Sequence, residues 1–140
     1  MASTLRTISI RTAGTGSYAA LADETTGSGA DFITGFSPSQ RQIVQNEPLY
    51  GSEIPAVFAR GNRGWILRFA VQRSHASAEA AAAFIQGHAA SIPDQLDIQI
   101  VQGAQTTHML AAALESLSFD EPSGAATTTH YTFIGPTYSS

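Results

Sequence analysis

Apolar and polar residues alternate along several short stretches of this chain and change to helical spacing only once. Between Gly64 and Arg73, the side chains of Trp65, Leu67, Phe69 and Val71 share one face of an extended segment, and Arg68 and Gln72 share the other. A period of two marks a half-buried strand. The pattern breaks at Ser77 and resumes through Ala81, Phe84, Ile85 and His88 at the spacing of a helix. Ser77 is placed to cap the first-turn amides, Glu79 lies near the positive helix end, and the alanines of 78–83 are strong helix formers. Gly87 weakens the far end and Pro93 forbids continuation, so the spacing predicts one helix over 78–90.

The remaining pattern predicts strands. Residues 4–11 carry Ile8 and Ile10 on one face; 31–36 read as a short strand ended by Ser37-Pro38, and 41–44 as another ended by Asn46-Glu47-Pro48. Pro48 and Pro55 bracket 49–54 and argue against a regular central strand there. An edge strand is expected over 56–60, hairpinned to the Trp65 strand through Gly61-Asn62-Arg63-Gly64. In 96–101, Leu96, Ile98 and Ile100 alternate with Asp97 and Gln99. Residues 109–115 suit either a helix or a strand; Leu117 and Phe119 continue on the opposite parity, so a strand needs a bulge near Glu115. The short spacing between turns favours that bulged strand. A last strand over 127–134 places Thr127, Thr129, Tyr131 and Phe133 on one face, with His130 and Ile134 on the other. The fold class expected is mainly β, a mostly antiparallel β-sandwich or barrel with one packed α-helix, in a single domain spanning 1–140. Residues 12–30 stand apart. Gly14, Gly16, Gly27 and Gly29 punctuate a run of Thr, Ser and Ala, interrupted by Tyr18 to Leu21, and the segment reads as a protruding arm.

Composition shifts the picture toward assembly. Hydrophobic residues make up 43% of the 140, enough for a sizeable core. Charged residues make up only 13%, against roughly 25% in a typical soluble domain. A surface so poor in charge suits a subunit largely covered by its neighbours. All 7 basic residues are arginine, the cation that interfaces enrich, although a GC-rich genome explains that bias equally well. The net charge of −4 and the lack of a basic patch disfavour nucleic-acid binding. With no cysteine there are no disulfides, thiolate metal sites or Cys nucleophiles. No stretch approaches the roughly 20 apolar residues of a membrane span, and 1–11 lack an apolar signal core, so folding in a cytoplasm is expected.

Chemistry-bearing motifs are scarce. His75, His88, His108 and His130 show none of the tight pair spacings of zinc sites, and no metal or other cofactor is expected. Asp23, Glu24 and Asp31 lack the regular acidic series of an EF-hand loop and read instead as a solvated loop contacting another subunit. Gly14-Thr15-Gly16 is not followed by Gly-Lys-Ser/Thr, and no Gly-x-Ser-x-Gly elbow occurs. The reading is therefore non-enzymatic. Arg68 and Arg73 leave the Trp65 strand on different faces, where either can bridge to acids of a neighbouring subunit or simply discourage edge-to-edge aggregation. With Tyr18, Leu21, Asp23 and Glu24 they form the expected subunit-interface set.

The strand Gly64–Arg73, the helix 78–90 ending at Ile92-Pro93, the strand 96–101, the segment Ala112-Ala113-Leu114-Glu115-Ser116-Leu117 and the closing Thr129-His130-Tyr131-Thr132-Phe133-Ile134-Gly135 together resemble structural proteins of long bacteriophage tails, in particular distal-tail and tail-tube-like subunits. The resemblance covers about half of the chain. It implies a β-sandwich or barrel with a flanking helix, assembled with itself into rings, commonly hexamers, around a DNA channel. It also implies contacts with other tail proteins and a place in the virion tail, built in the host bacterial cytoplasm. Ring closure would cover exposed strand edges by repeated heterologous contacts. The alternative is a small carbohydrate-binding β domain with Trp65, Tyr18 and Tyr50 as stacking faces.

Overall fold

The computed structural model describes residues 5–25, 31–41, 44–47, 57–60, 64–121 and 124–140. Its elements are β1 (Arg6–Thr12), β2 (Ala19–Asp23), β3 (Asp31–Arg41), β4 (Val44–Glu47), β5 (Val57–Arg60), β6 (Gly64–Ser74), α1 (Ala78–Gly87), β7 (Leu96–Gln102), β8 (Gln105–Phe119) and β9 (Ala126–Gly135). A 3-10 turn, Ala89–Ser91, follows the helix. Seven strands form one antiparallel sheet in the order β2-β1-β7-β8-β9-β6-β3, which does not close into a barrel. The fold is mainly antiparallel β with a single helix among the described residues, as the alternation predicts.

β8 is the corner of this sheet. Its first half pairs with β7, up to Leu96 opposite Ala112, and its second half pairs with β9, from Ala113 opposite Ile134. The bend falls at Ala111, whose φ of 53° is a left-handed conformation rare for a residue with a side chain. A second irregularity lies between Leu114 and Ser116, the bulge that the change of parity at Glu115 predicts. The strand alternative for 109–115 is thus the observed one. Gly135 passes the corner closely: a Cβ there would lie 2.9 Å from Met109 Cγ and 3.3 Å from Ala112 Cβ.

Folding the sheet about β8 brings its two halves together around one core. Ile8, Ile10, Leu96, Ile98 and Ile100 come from one half, and Leu67, Phe69, Val71, Tyr131 and Phe133 from the other. Phe69 stacks on Tyr131 with ring centroids 5.0 Å apart. Trp65 is only partly buried and packs against Tyr138 at 5.2 Å. Ser77 caps α1 by accepting from Ala80 N at 3.1 Å. The regular helix ends at Gly87, before the expected 90, because 89–91 tighten into the 3-10 turn.

Several expectations need correction. Within the supposed arm, residues 13–18 make a turn and β2 (Ala19–Asp23) returns along β1 as part of the sheet; 26–30 lie outside the described residues. The strand beginning at Asp31 does not stop at Ser37-Pro38 but continues to Arg41. β3 is an edge strand, paired on one side only, where a proline is tolerated. The segment expected at 41–44 divides between the end of β3 and a separate strand, β4. β5 pairs with β4 (Val44 opposite Arg60, Glu47 opposite Val57), not with β6. β6 pairs instead with β3 and β9, because the ladder between β3 and β6 runs on to Arg41 opposite Gly64 and leaves β6 no place for β5. The expected break at 49–54 lies outside the described residues.

Candidate functional site

The two edges of the sheet, β2 and β3, are joined by side chains. Glu24, just after β2, accepts Arg6 N on Oε1 and Ile33 N on Oε2, both at 3.0 Å. Asp31 Oδ2 accepts Asp23 N at 2.9 Å. Asp23 Oδ1 accepts Thr7 Oγ1 and Thr25 N, each at 2.9 Å. The acids that spacing alone leaves as a solvated loop are thus placed as a carboxylate seam between β2 and β3. A carboxylate accepts through two oxygens, so one side chain can bridge backbone donors on two strands.

Above the seam lies Arg73. It shares the parity of Trp65, Leu67, Phe69 and Val71 and is 8% exposed, so it points into the molecule rather than toward a neighbour. Its Nη2 donates to the Leu21 carbonyl of β2 at 2.7 Å and its Nη1 to Thr129 Oγ1 at 3.2 Å. The guanidinium carbon stands 4.9 Å from the Phe84 ring centroid and 5.7 Å from that of Tyr131. These aromatic faces attract a cation but do not neutralise it. Among the described residues no carboxylate lies within ion-pair distance of Arg73. Asp31 is opposite it in the ladder, yet is turned to Asp23 N.

The helix completes this cluster. Phe84 and His88 stack at 4.4 Å on one face of α1, and His88 Nε2 shares a hydrogen bond with the Tyr131 hydroxyl. Burial, reinforced by Arg73 nearby, lowers the His88 pKa to about 4, which leaves the imidazole neutral at pH 7. Burial likewise raises the Tyr131 phenol, against an opposing pull from Arg73. Between α1 and the β1–β2 hairpin opens a cleft of about 510 Å³, lined by Ile10, Leu21, Arg73, Phe84, His88 and Pro93 with hydroxyls from Thr12, Ser17 and Ser91. Ser91 Oγ donates to the His88 backbone carbonyl at 2.6 Å and so is not aimed at the imidazole as a nucleophile.

A buried acid fixes the far wall. Asp97, 3% exposed, takes Arg11 Nε and Gly14 N on Oδ2, both at 2.9 Å, and Ala111 N on Oδ1 at 3.0 Å. Burial pushes its carboxyl up, but the Ala111 and Gly14 amides and the Arg11 guanidinium outweigh it, and its pKa lies below the ordinary value. The same side chain therefore holds the β1–β2 turn and the strained corner at Ala111. Arg11 also lies over the Tyr18 ring, 4.6 Å from its centroid.

Of the expected interface residues, the structure brings Leu21 and Arg73 together and places Asp23 and Glu24 in the adjoining seam. Tyr18 lies under Arg11 in the β1–β2 hairpin. Arg68 is exposed on the outer face of β6, away from the rest. The four histidines stay apart: His75 bonds Thr127, His88 Tyr131, His108 Ser139 through its backbone, and His130 Asp120. Among the described residues no three acidic or histidine side chains converge as metal ligands, and no helix is long and apolar enough to cross a membrane. Tyr131, Arg11 and Asp97 go unnoticed as site residues in the sequence, and His88 is weighed there only as a zinc ligand. The parity of Arg73 and Tyr131, and the four-residue step from Phe84 to His88, are the signals that could have found the cluster. Compared with known protein families and with curated proteins, the chain matches none.

Proposed function

We propose that this chain is a non-enzymatic structural subunit of a bacteriophage tail, a tube or distal-tail component that assembles with itself into a ring, commonly a hexamer, around the DNA channel. It would contact other tail proteins and reside in the virion after assembly in the host bacterial cytoplasm. The observation that carries this reading is the β4–β5 ribbon. β9 ends at Gly135 opposite Trp65, β3 and β6 pair as far as Arg41 opposite Gly64, and β4 and β5 form their own ladder from Val44 opposite Arg60 to Glu47 opposite Val57. Among the described residues, this two-stranded ribbon shares no ladder with the seven-stranded sheet. A two-stranded ribbon is marginal in water by itself and is stabilised by packing on something else. A neighbouring copy in a ring supplies that cover, and the low charged fraction of 13% suits a surface hidden in the same way.

The carbohydrate-binding alternative has less support. Trp65 has Tyr138 against it and Tyr18 has Arg11 over it, so neither offers a bare aromatic platform, and Tyr50 lies outside the described residues.

Negative-stain microscopy and native mass measurement of the purified chain test the proposal. Rings or short tubes are expected. In a variant with residues 42–63 replaced by Asn-Gly, a type I′ turn closes β3 onto β6 at the Arg41–Gly64 pair. This variant should remain folded and lose the rings. A wild-type chain that stays monomeric at every concentration tested would sink the reading.

A further inference from the structure

We infer that the cleft between α1 and the β1–β2 hairpin is a binding site for a carboxylate carried on a short apolar stem, with Arg73 as its anchor. Arg73 is a buried cation at an accessible cleft, and among the described residues no acid pairs with it. Arg73 is 8% exposed, lines the cleft, and has a carbonyl, a hydroxyl and two aromatic rings as neighbours rather than an acid. A guanidinium carries five N–H donors in a planar fork that matches a carboxylate. The Leu21 carbonyl and Thr129 Oγ1 each take one N–H from the outer nitrogens of Arg73 and the Tyr131 hydroxyl is a further neighbour, which leaves part of the five-donor fork for a ligand. The other cation of the cleft, Arg11, is already neutralised by Asp97 at 2.9 Å.

The lining sets the shape of the ligand. Ile10, Leu21, Phe84 and Pro93 make apolar walls, and Ser17 and Ser91 place hydroxyls beside them. A volume of about 510 Å³ lies within the few-hundred-Å³ range of small-molecule pockets. The charged group of the ligand must reach a recessed arginine, so a slender acid fits better than a bulky polyanion. The titratable groups lining the cleft are Arg11, Arg73 and neutral His88; behind His88 the buried Tyr131 hydroxyl bonds its Nε2, and Asp31 and Thr129 lie beside Arg73. Among the described residues, none of the side chains lining the cleft is acidic.

Titration of the full chain with sodium butyrate at neutral pH, followed through the ring resonances of His88 and Tyr131, tests this. Sodium chloride at equal ionic strength is the control. Saturable shifts with butyrate and none with chloride are expected. Arg73→Gln should weaken binding at least about tenfold, as expected for loss of a hydrogen-bonded charge pair. Because Arg73 is buried and its replacement can unfold the chain, Ala20→Trp provides the second arm. Ala20 is an exposed cleft residue on β2, so the indole should fill the cleft and abolish the shifts while the circular dichroism spectrum stays unchanged. Equal responses to butyrate and chloride would reduce the effect to ionic strength and overturn the proposal. Saturable binding that survives in folded Ala20→Trp overturns it as well.

Discussion

The β2–β3 seam and the β4–β5 ribbon present the same physical problem and answer it differently. Each involves strand edges whose backbone donors and acceptors lack a full ladder, which is a liability in water. At the seam, the chain answers with its own side chains: Glu24 and Asp31 accept the Arg6, Ile33 and Asp23 amides, and Arg73 takes the Leu21 carbonyl. At the ribbon, among the described residues, β4 and β5 pair only with each other. The contrast separates an edge closed by the chain's own side chains from a ribbon that, under the proposed function, a neighbouring copy would cover. Under the proposed function, the element offered to a neighbour is the β4–β5 ribbon rather than the Gly-rich segment 12–30.

The seam side of this comparison breaks most severely at Asp97. Asp97→Ala removes the acceptor of Arg11, Gly14 and Ala111 together, releasing the turn that returns β2 to the seam and the corner of β8. Losing one partner of a buried ion pair, with two amides left unsatisfied, should cost about 3 kcal/mol in urea denaturation. The pH dependence has a definite sign. Because the folded carboxyl lies below its ordinary 3.8, its stabilisation is present above that value and is lost as pH falls further. Asp97→Asn should therefore lose stability at neutral pH yet show a shallower acid limb below about pH 4.

Glu24 tests the seam itself. Glu24→Gln keeps one acceptor oxygen but turns an amide NH2 toward either Arg6 N or Ile33 N. A loss of about 1–2 kcal/mol is expected, with faster hydrogen exchange at whichever amide is orphaned. Unchanged exchange at both amides would mean that the edges are held by something other than the carboxylate.

His88 should tune the seam more gently, through Arg73. The folded imidazole titrates at about 4 against an ordinary 6.5, so in this interval the unfolded chain binds a proton that the folded chain refuses. Stability is full above pH 6.5 and falls as pH drops toward 4, a window distinct from that of Asp97. Protonation would set a second cation beside Arg73, the residue that holds the Leu21 carbonyl. His88→Gln, which keeps a hydrogen-bonding partner for Tyr131 without titrating, should flatten the stability profile between those values. A slope unchanged by the substitution would assign the effect to another group.

How much of this was legible in the sequence follows the range of the forces involved. β6, α1, β7 and β9 are visible because their side chains alternate or repeat locally, and the bulge near Glu115 because parity changes within one strand. β2 was hidden: Ala-Ala-Leu-Ala-Asp has no β-branched residue, and its strand conformation comes from pairing with β1. The passage of β3 through Pro38 depends on being an edge, and the partner of β5 on where β6 is already engaged; both are properties of the assembled sheet. The acids of the seam are close in sequence, but their targets, Arg6 and Ile33, become neighbours only when the sheet bends. Arg73 was the exception, since its parity placed it inward while its charge suggested a surface.

The ribbon should yield the smallest change in stability, and that smallness is the sharpest part of the comparison. If β4 and β5 are completed by a neighbour, replacing residues 42–63 by Asn-Gly removes little that the single copy uses. Unfolding of the shortened chain below the concentration at which rings form should differ from wild type by less than about 0.5 kcal/mol, the range of surface changes that disturb no core contact. Above that concentration only the wild type should gain stability with protein concentration, because assembly binds the folded state and not the unfolded one. A large loss in the isolated copy would place the ribbon against its own sheet. The seam and the ribbon would then be two closures of one finished subunit, and the argument for a neighbour would lose its main support.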